Sequence, residues 1–137
     1  MGKDTLRIIS PNGHLGFAPT KEGSFYIGAE TKPDYYCCDS GSDDIGPVPL
    51  GMDKCASHPD WQYHDLELML LASREQGVPM IIGSAGDTGT NSRVDMYVEM
   101  IRDMAKKHGL KNWLIFILKW IRNTSAGKCL PARQSKA

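Results

Sequence analysis

No stretch of about 18 consecutive apolar residues occurs in this chain, so no membrane-spanning helix is expected. The first residues, Met1-Gly2-Lys3-Asp4, lack the apolar stretch of a secretory signal. Leu6 stands where a myristoylation signal needs Ser or Thr. No G-x-S-x-G elbow is present, which leaves an α/β-hydrolase nucleophile unsupported. Cysteine is sparse: Cys37, Cys38, Cys55 and Cys129 are the only four. Cys37 and Cys38 are adjacent and cannot easily bridge to each other, and inside an apolar run a free thiol behaves as a small buried hydrophobe. Without a signal peptide, reduced thiols and a cytoplasmic setting are expected.

Net charge is absent too, but the zero total hides a split. Residues 1–103 carry all 16 acidic side chains and a balance of −8, whereas residues 104–137 carry no acid and a balance of +8. Such splits can mark a nucleic-acid-binding end. Here the basic end has few interleaved aromatics beyond Trp113 and Trp120 and follows no recognisable module, so nucleic acid is not expected as a partner.

The chain has 137 residues, 41% of them hydrophobic, which fits one globular domain able to bury roughly two-thirds of its unfolded surface. Leu6–Ser10 is a plausible first strand, stopped by the turn signal Pro11-Asn12-Gly13. The stretch from His14 to Pro33 is punctuated by Gly and Pro, and Ser24–Gly28 reads as a short strand or irregular loop. Tyr35–Cys38 reads as a core strand, and residues 39–59 as a long turn-rich segment. Asp60–Gln76 has helical spacing through Leu66, Met69, Leu70 and Ser73, with Ser57 or Asp60 as the cap and Gly77 just past its end. Val78–Ile82 is continuously apolar, as a buried parallel strand should be. A second helix follows from Asn91 or Ser92 to about His108, then a fourth apolar strand from Trp113 to Leu118. This alternation predicts an α/β domain over residues 1–121. A mainly parallel sheet, right-handed βαβ crossovers and Rossmann-like layering are expected. Residues 122–137 read as a disordered basic tail.

In such sheets the ligand crevice lies at the carboxyl ends of the strands. Two acidic, glycine-bearing turns are expected there: Asp39-Ser40-Gly41-Ser42-Asp43-Asp44-Ile45-Gly46-Pro47 and Gly83-Ser84-Ala85-Gly86-Asp87-Thr88-Gly89. Paired carboxylates at a crevice split into an acid and a base, because like charges push their pKa values apart. They are also able to hold Mg²⁺ through one or two carboxylates with several waters retained. Asp39, at the end of a buried strand, is the leading acid/base or metal anchor, with Asp43 and Asp87 in support. The plainer reading of Asp and Ser here is turn chemistry, since both bond their own backbone. The G-x-x-G-x-x-G spacing of the second turn matches neither the dinucleotide fingerprint nor the phosphate-binding loop. Its backbone from Gly83 through Ser84, Ala85, Gly86 and Thr88 is expected to cradle an anion or carbonyl. Gly41 and Ser42 from the first turn, and Asn12 and His14 from the loop after the first strand, complete the expected substrate-binding set. Cys55, His58 and His64 have the spacing C-x₂-H-x₅-H but no convincing fourth ligand, and read as an acidic helix start rather than a zinc site.

The two turns, together with Leu50-Gly51, Asp65–Leu71 and Val78–Gly86, resemble the acyclic terpene utilisation (AtuA-like) family. The resemblance covers about residues 5–110 and rests on a D-x-G-S-x-D-x-G-P type turn and an apolar strand ending in G-S-A-G. It implies an N-terminal portion of a longer catabolic enzyme acting on a small organic substrate such as a terpenoid or related acid, with no assigned reaction. By position, the shared turns fall on Asp39, Gly41, Ser42, Asp43, Gly46 and Pro47, and on Gly83, Ser84, Ala85 and Gly86. Two other readings remain open: a non-catalytic ligand- or nucleic-acid-binding module, and a truncated chain without activity. A small-molecule substrate is the expected partner, and self-association into a homo-oligomer is left open.

Overall fold

The computed structural model describes residues 4–41 and 46–117, and the backbone of 133–136. Ser42, Asp43 and Asp44 of the first acidic turn lie outside the described residues, as does most of the basic tail. Three parallel strands form the central sheet in the order β1 (Ile8–Ile9), β2 (Tyr35–Gly41), β3 (Met80–Asp87). Helix α1 (Glu22–Ala29) connects β1 to β2, and α2 (Val48–Met52) and α3 (Pro59–Gln76) lie between β2 and β3. Helix α4 (Asn91–Lys107) follows β3. The expectation of an α/β domain built on a parallel sheet is met at this level.

Period-2 alternation decides which face of β2 is core. Tyr36, Cys38 and Ser40 are buried, while Tyr35, Cys37 and Gly41 are half-buried and Asp39 is exposed. The Phe25 ring of α1 lies 5.7 Å from that of Tyr36, and the Tyr97 hydroxyl of α4 is 2.6 Å from Ser40 Oγ. Burial pushes the Tyr97 phenol up, so it remains a neutral partner for Ser40. From α3, Leu66 and Met69 are fully buried in the same cluster, each contributing roughly 1.5–3 kcal/mol by leaving water.

Several elements differ from the sequence reading. Residues 22–29 are helical, because Phe25 and Ala29, four apart, share the buried side; tertiary packing overrides the two glycines within the segment. The turn-rich segment contains the short helix α2, which begins with Val48-Pro49 and ends at left-handed Asp53 (φ 48°). Helix α3 is capped by His58, whose Nδ1 accepts from Asp60 N at 3.3 Å, and α4 by Thr90; neither cap is the one expected.

Both strands also run further than their apolar residues. β2 continues to Gly41 and β3 to Asp87, with Asp39 paired to Gly83 and Gly41 to Asp87 across a register shift. The supposed turns therefore begin as sheet. Gly41 is required there by close approach: a Cβ on it would stand 2.8 Å from Ser84 Cβ and 3.0 Å from its Oγ. Gly41→Ala is expected to cost about 1–3 kcal/mol through backbone displacement, measurable as a lower urea midpoint at unchanged slope.

The fourth apolar run does not join the parallel sheet. β4 (Leu114–Ile117) pairs antiparallel with β5 (Arg133–Lys136), from Leu114 opposite Lys136 to Ile117 opposite Arg133. Its side chains alternate exposed and half-buried, the pattern of an antiparallel strand with one solvated face, and an apolar run alone does not name its partner. Strand β5 corrects the expectation of a disordered tail for these residues, because its backbone pairs with β4. Among the described residues, no helix is long and apolar enough to cross a membrane.

Candidate functional site

The loop between β1 and α1 folds back over the carboxyl end of β2, where Leu15 N donates to Asp39 O at 2.9 Å. A buried carboxylate holds it there. Asp65 of α3 is 0% exposed and accepts from Thr20 N (2.8 Å), Gly16 N (3.1 Å) and Asn12 Nδ2 (2.8 Å), with His64 Nδ1 3.2 Å away. Burial raises the Asp65 pKa, but the hydrogen bonds from Thr20, Gly16, His64 and Asn12 outweigh it and hold the carboxyl below its usual range. Gly16 sits against α3 so closely that a Cβ would overlap Gln62 Cγ, and its φ is +80°.

Clamped in this way, the loop presents His14 to Asp87 at the end of β3. His14 Nε2 lies 2.9 Å from Asp87 Oδ1, and the Asp87 side chain is 0% exposed. Ser57 Oγ donates to the same oxygen at 2.9 Å and lies 3.1 Å from His14 Nε2. The second oxygen, Oδ2, accepts from Ala56 N (2.7 Å) and Ser57 N (3.0 Å). Asp87 itself is left-handed (φ 68°), as is Ser84 (φ 44°). Non-glycine residues in that region cost of order 1–3 kcal/mol and concentrate at functional sites.

The chemistry of this cluster follows from which nitrogen is engaged. A carboxylate only accepts, so His14 Nε2 carries the hydrogen, and in the neutral ring the lone pair sits on Nδ1. Ser57 faces the hydrogen-bearing nitrogen and already donates to Asp87. It therefore lacks the lone pair that would take its proton, and the trio is not a nucleophilic triad. It is an Asp–His pair, with Ser57 and two backbone amides fixing the carboxylate.

Asp39 belongs to a different neighbourhood. Its exposed carboxylate accepts from Gly41 N at 3.0 Å, and a Cβ on Gly83 would approach Asp39 Oδ1 to 3.1 Å. The parallel register brings Asp39 and Asp87 to the same end of neighbouring strands, but their hydrogen-bond partners are separate sets. Gly41, Gly83 and Ser84 line the Asp39 side; Ala85 and Gly86 are buried, and Gly86 O accepts from Cys55 Sγ at 3.4 Å.

The residue that ends α2, Asp53, meets the start of helix α4. The Asp53 carboxylate accepts from Ser92 Oγ (2.6 Å) and Thr90 Oγ1 (2.8 Å), and these bonds hold its pKa low. Thr88 Oγ1 accepts from Thr90 N at 3.3 Å, and Gly89 N donates to Ala85 O at 3.0 Å. Asp53 meets the two hydroxyls at the start of α4 rather than the backbone of residues 83–88.

Cys55, His58 and His64 have separate partners: Cys55 meets Gly86, His58 caps α3 beside Trp61, and His64 faces Asp65. Among the described residues, no group of three His, Cys, Asp or Glu side chains could hold a metal ion. Asp87 spends both oxygens on protein donors and does not fit the Mg²⁺ expectation, whereas Asp39 is exposed and Asp43 lies outside the described residues.

Sequence reasoning missed Ser57, Asp53 and Asp65 as site-building residues. Asp65 carried a legible signal: it precedes Met69 by four and Ala72 by seven, on a stripe that faces the core. A carboxylate at such a position requires partners. No family model, no curated protein and no solved structure matches the chain.

Proposed function

We propose that this chain is the N-terminal portion of an AtuA-like catabolic enzyme with Rossmann-like layering and right-handed crossovers. It acts in the cytoplasm on a small organic substrate, a terpenoid or a related acid, bound at the carboxyl ends of β2 and β3. The reading is carried by one observation: the buried Asp87 carboxylate at the tip of a parallel strand holds His14 Nε2 at 2.9 Å. General acid–base chemistry uses a titratable side chain held in position, and an imidazole fixed in one tautomer by a buried carboxylate meets that need. Asp39, exposed on the neighbouring strand, serves as the second acid/base group or as a substrate anchor. Asp87 is a positioning residue for His14.

Asp39→Asn, made in a longer family member carrying the same two turns, is expected to lower turnover about a hundredfold or more, within the range for one acid–base group. Its thermal unfolding should be unchanged, because the carboxylate is exposed. Turnover equal to wild type would refute the assignment.

A further inference from the structure

Beside His14 the surface holds a cavity of about 290 Å³ lined by Asn12, Gly13, His14, Phe17 and Ala18. Its volume lies at the low end of the roughly 300–1,000 Å³ typical of small-molecule sites. Its polar side-chain atoms are already engaged with one exception. Asn12 Nδ2 donates to Asp65 and Thr20, and Asn12 Oδ1 accepts from His14 N at 3.1 Å. His14 Nε2 is bound to Asp87, which leaves Nδ1, the lone-pair nitrogen, without a partner among the described residues. Phe17 is 71% exposed, and its ring lies 6.0 Å from that of His14, nearly parallel at 28°. No cationic side chain lines the cavity.

Resting on the enzyme reading above, we infer that this cavity is the substrate subsite, and that it takes a neutral, hydroxyl-bearing molecule with a flat apolar segment. The flat segment stacks on Phe17 and covers an aromatic face otherwise left to water. The hydroxyl donates to His14 Nδ1. With the ring neutral, a carboxylate has no hydrogen to give that nitrogen and finds no cationic side chain in the lining, so the site selects an alcohol over the matching acid.

The test is a titration of the isotope-labelled chain with cinnamyl alcohol and, separately, with cinnamate, a pair matched in shape and differing in the polar end. Cinnamyl alcohol is expected to shift the His14 and Phe17 ring signals saturably, and cinnamate to shift neither. Phe17→Ala removes an exposed ring and leaves the fold intact; it should weaken cinnamyl alcohol about fivefold, the value of one aromatic stack. Cinnamate binding as well as the alcohol, no shift at His14 with the alcohol, or equal affinity in Phe17→Ala would each overturn the subsite. The enzyme reading is judged separately by the turnover of Asp39→Asn, which involves neither probe.

Discussion

Replacing Asp65 by alanine is expected to cost about 3–5 kcal/mol, the loss seen when one partner of a buried charged network is removed. Its carboxylate is the common acceptor for Thr20 N, Gly16 N and Asn12 Nδ2, and an unsatisfied buried donor costs about 1–3 kcal/mol. Against a typical total of roughly 5–15 kcal/mol, that is a large share of the stability of a domain this size. The damage should concentrate in the loop of residues 11–20, whose attachment to α3 runs through this side chain. Urea unfolding followed by circular dichroism measures the loss, and amide exchange at Gly16 and Thr20 locates it. Asp65→Asn keeps one acceptor oxygen and should fall between alanine and wild type.

The same residue sets an acid dependence. Its folded pKa lies below its unfolded one, so its contribution is fully present above the unfolded value and disappears as pH falls through the folded value. Wild type should therefore lose stability on acidification more steeply than Asp65→Ala, and the two curves should converge in acid. Parallel curves would show that Asp65 is not bonded as described.

The second large effect is at Asp87. Asp87→Asn replaces one acceptor oxygen by a donor, while four protein donors converge on the carboxylate. The amide must turn its NH₂ either toward Ala56 N and Ser57 N or toward His14 and Ser57 Oγ. In either orientation donors face donors. A loss of about 1–3 kcal/mol is expected from the unsatisfied groups. In a longer family member, turnover should fall about a hundredfold or more because His14 is no longer fixed. A variant with wild-type turnover and weakened stability would reduce Asp87 to a structural residue.

Much of the scaffold is visible in the sequence because its signals are local. Continuous apolar runs mark β2 and β3, and the spacing of Leu66, Met69 and Leu70 marks α3, with Gly77 just past its end. What escapes is decided by tertiary contact. Helix α1 exists because Phe25 meets Tyr36, and β4 pairs with a partner that no local pattern names. The candidate site divides the same way. Asn12, His14 and Asp87 can be singled out as polar residues next to turns, but their connection through Asp65 and Ser57 spans 53 and 30 positions of sequence and has no local signature. Asp39 and Asp87 arrive at one end of the sheet as the strand pattern implies, yet alternation exposes the first and burial encloses the second.

The tautomer of His14 is the most direct measurement. In a long-range nitrogen–proton NMR spectrum of the neutral ring, the hydrogen should reside on Nε2, facing Asp87, with Nδ1 showing the shift of an unprotonated nitrogen. A hydrogen on Nδ1, or the averaged signals of a freely exchanging exposed imidazole, would mean that Asp87 does not hold the ring and that the strand tips carry no acid–base pair.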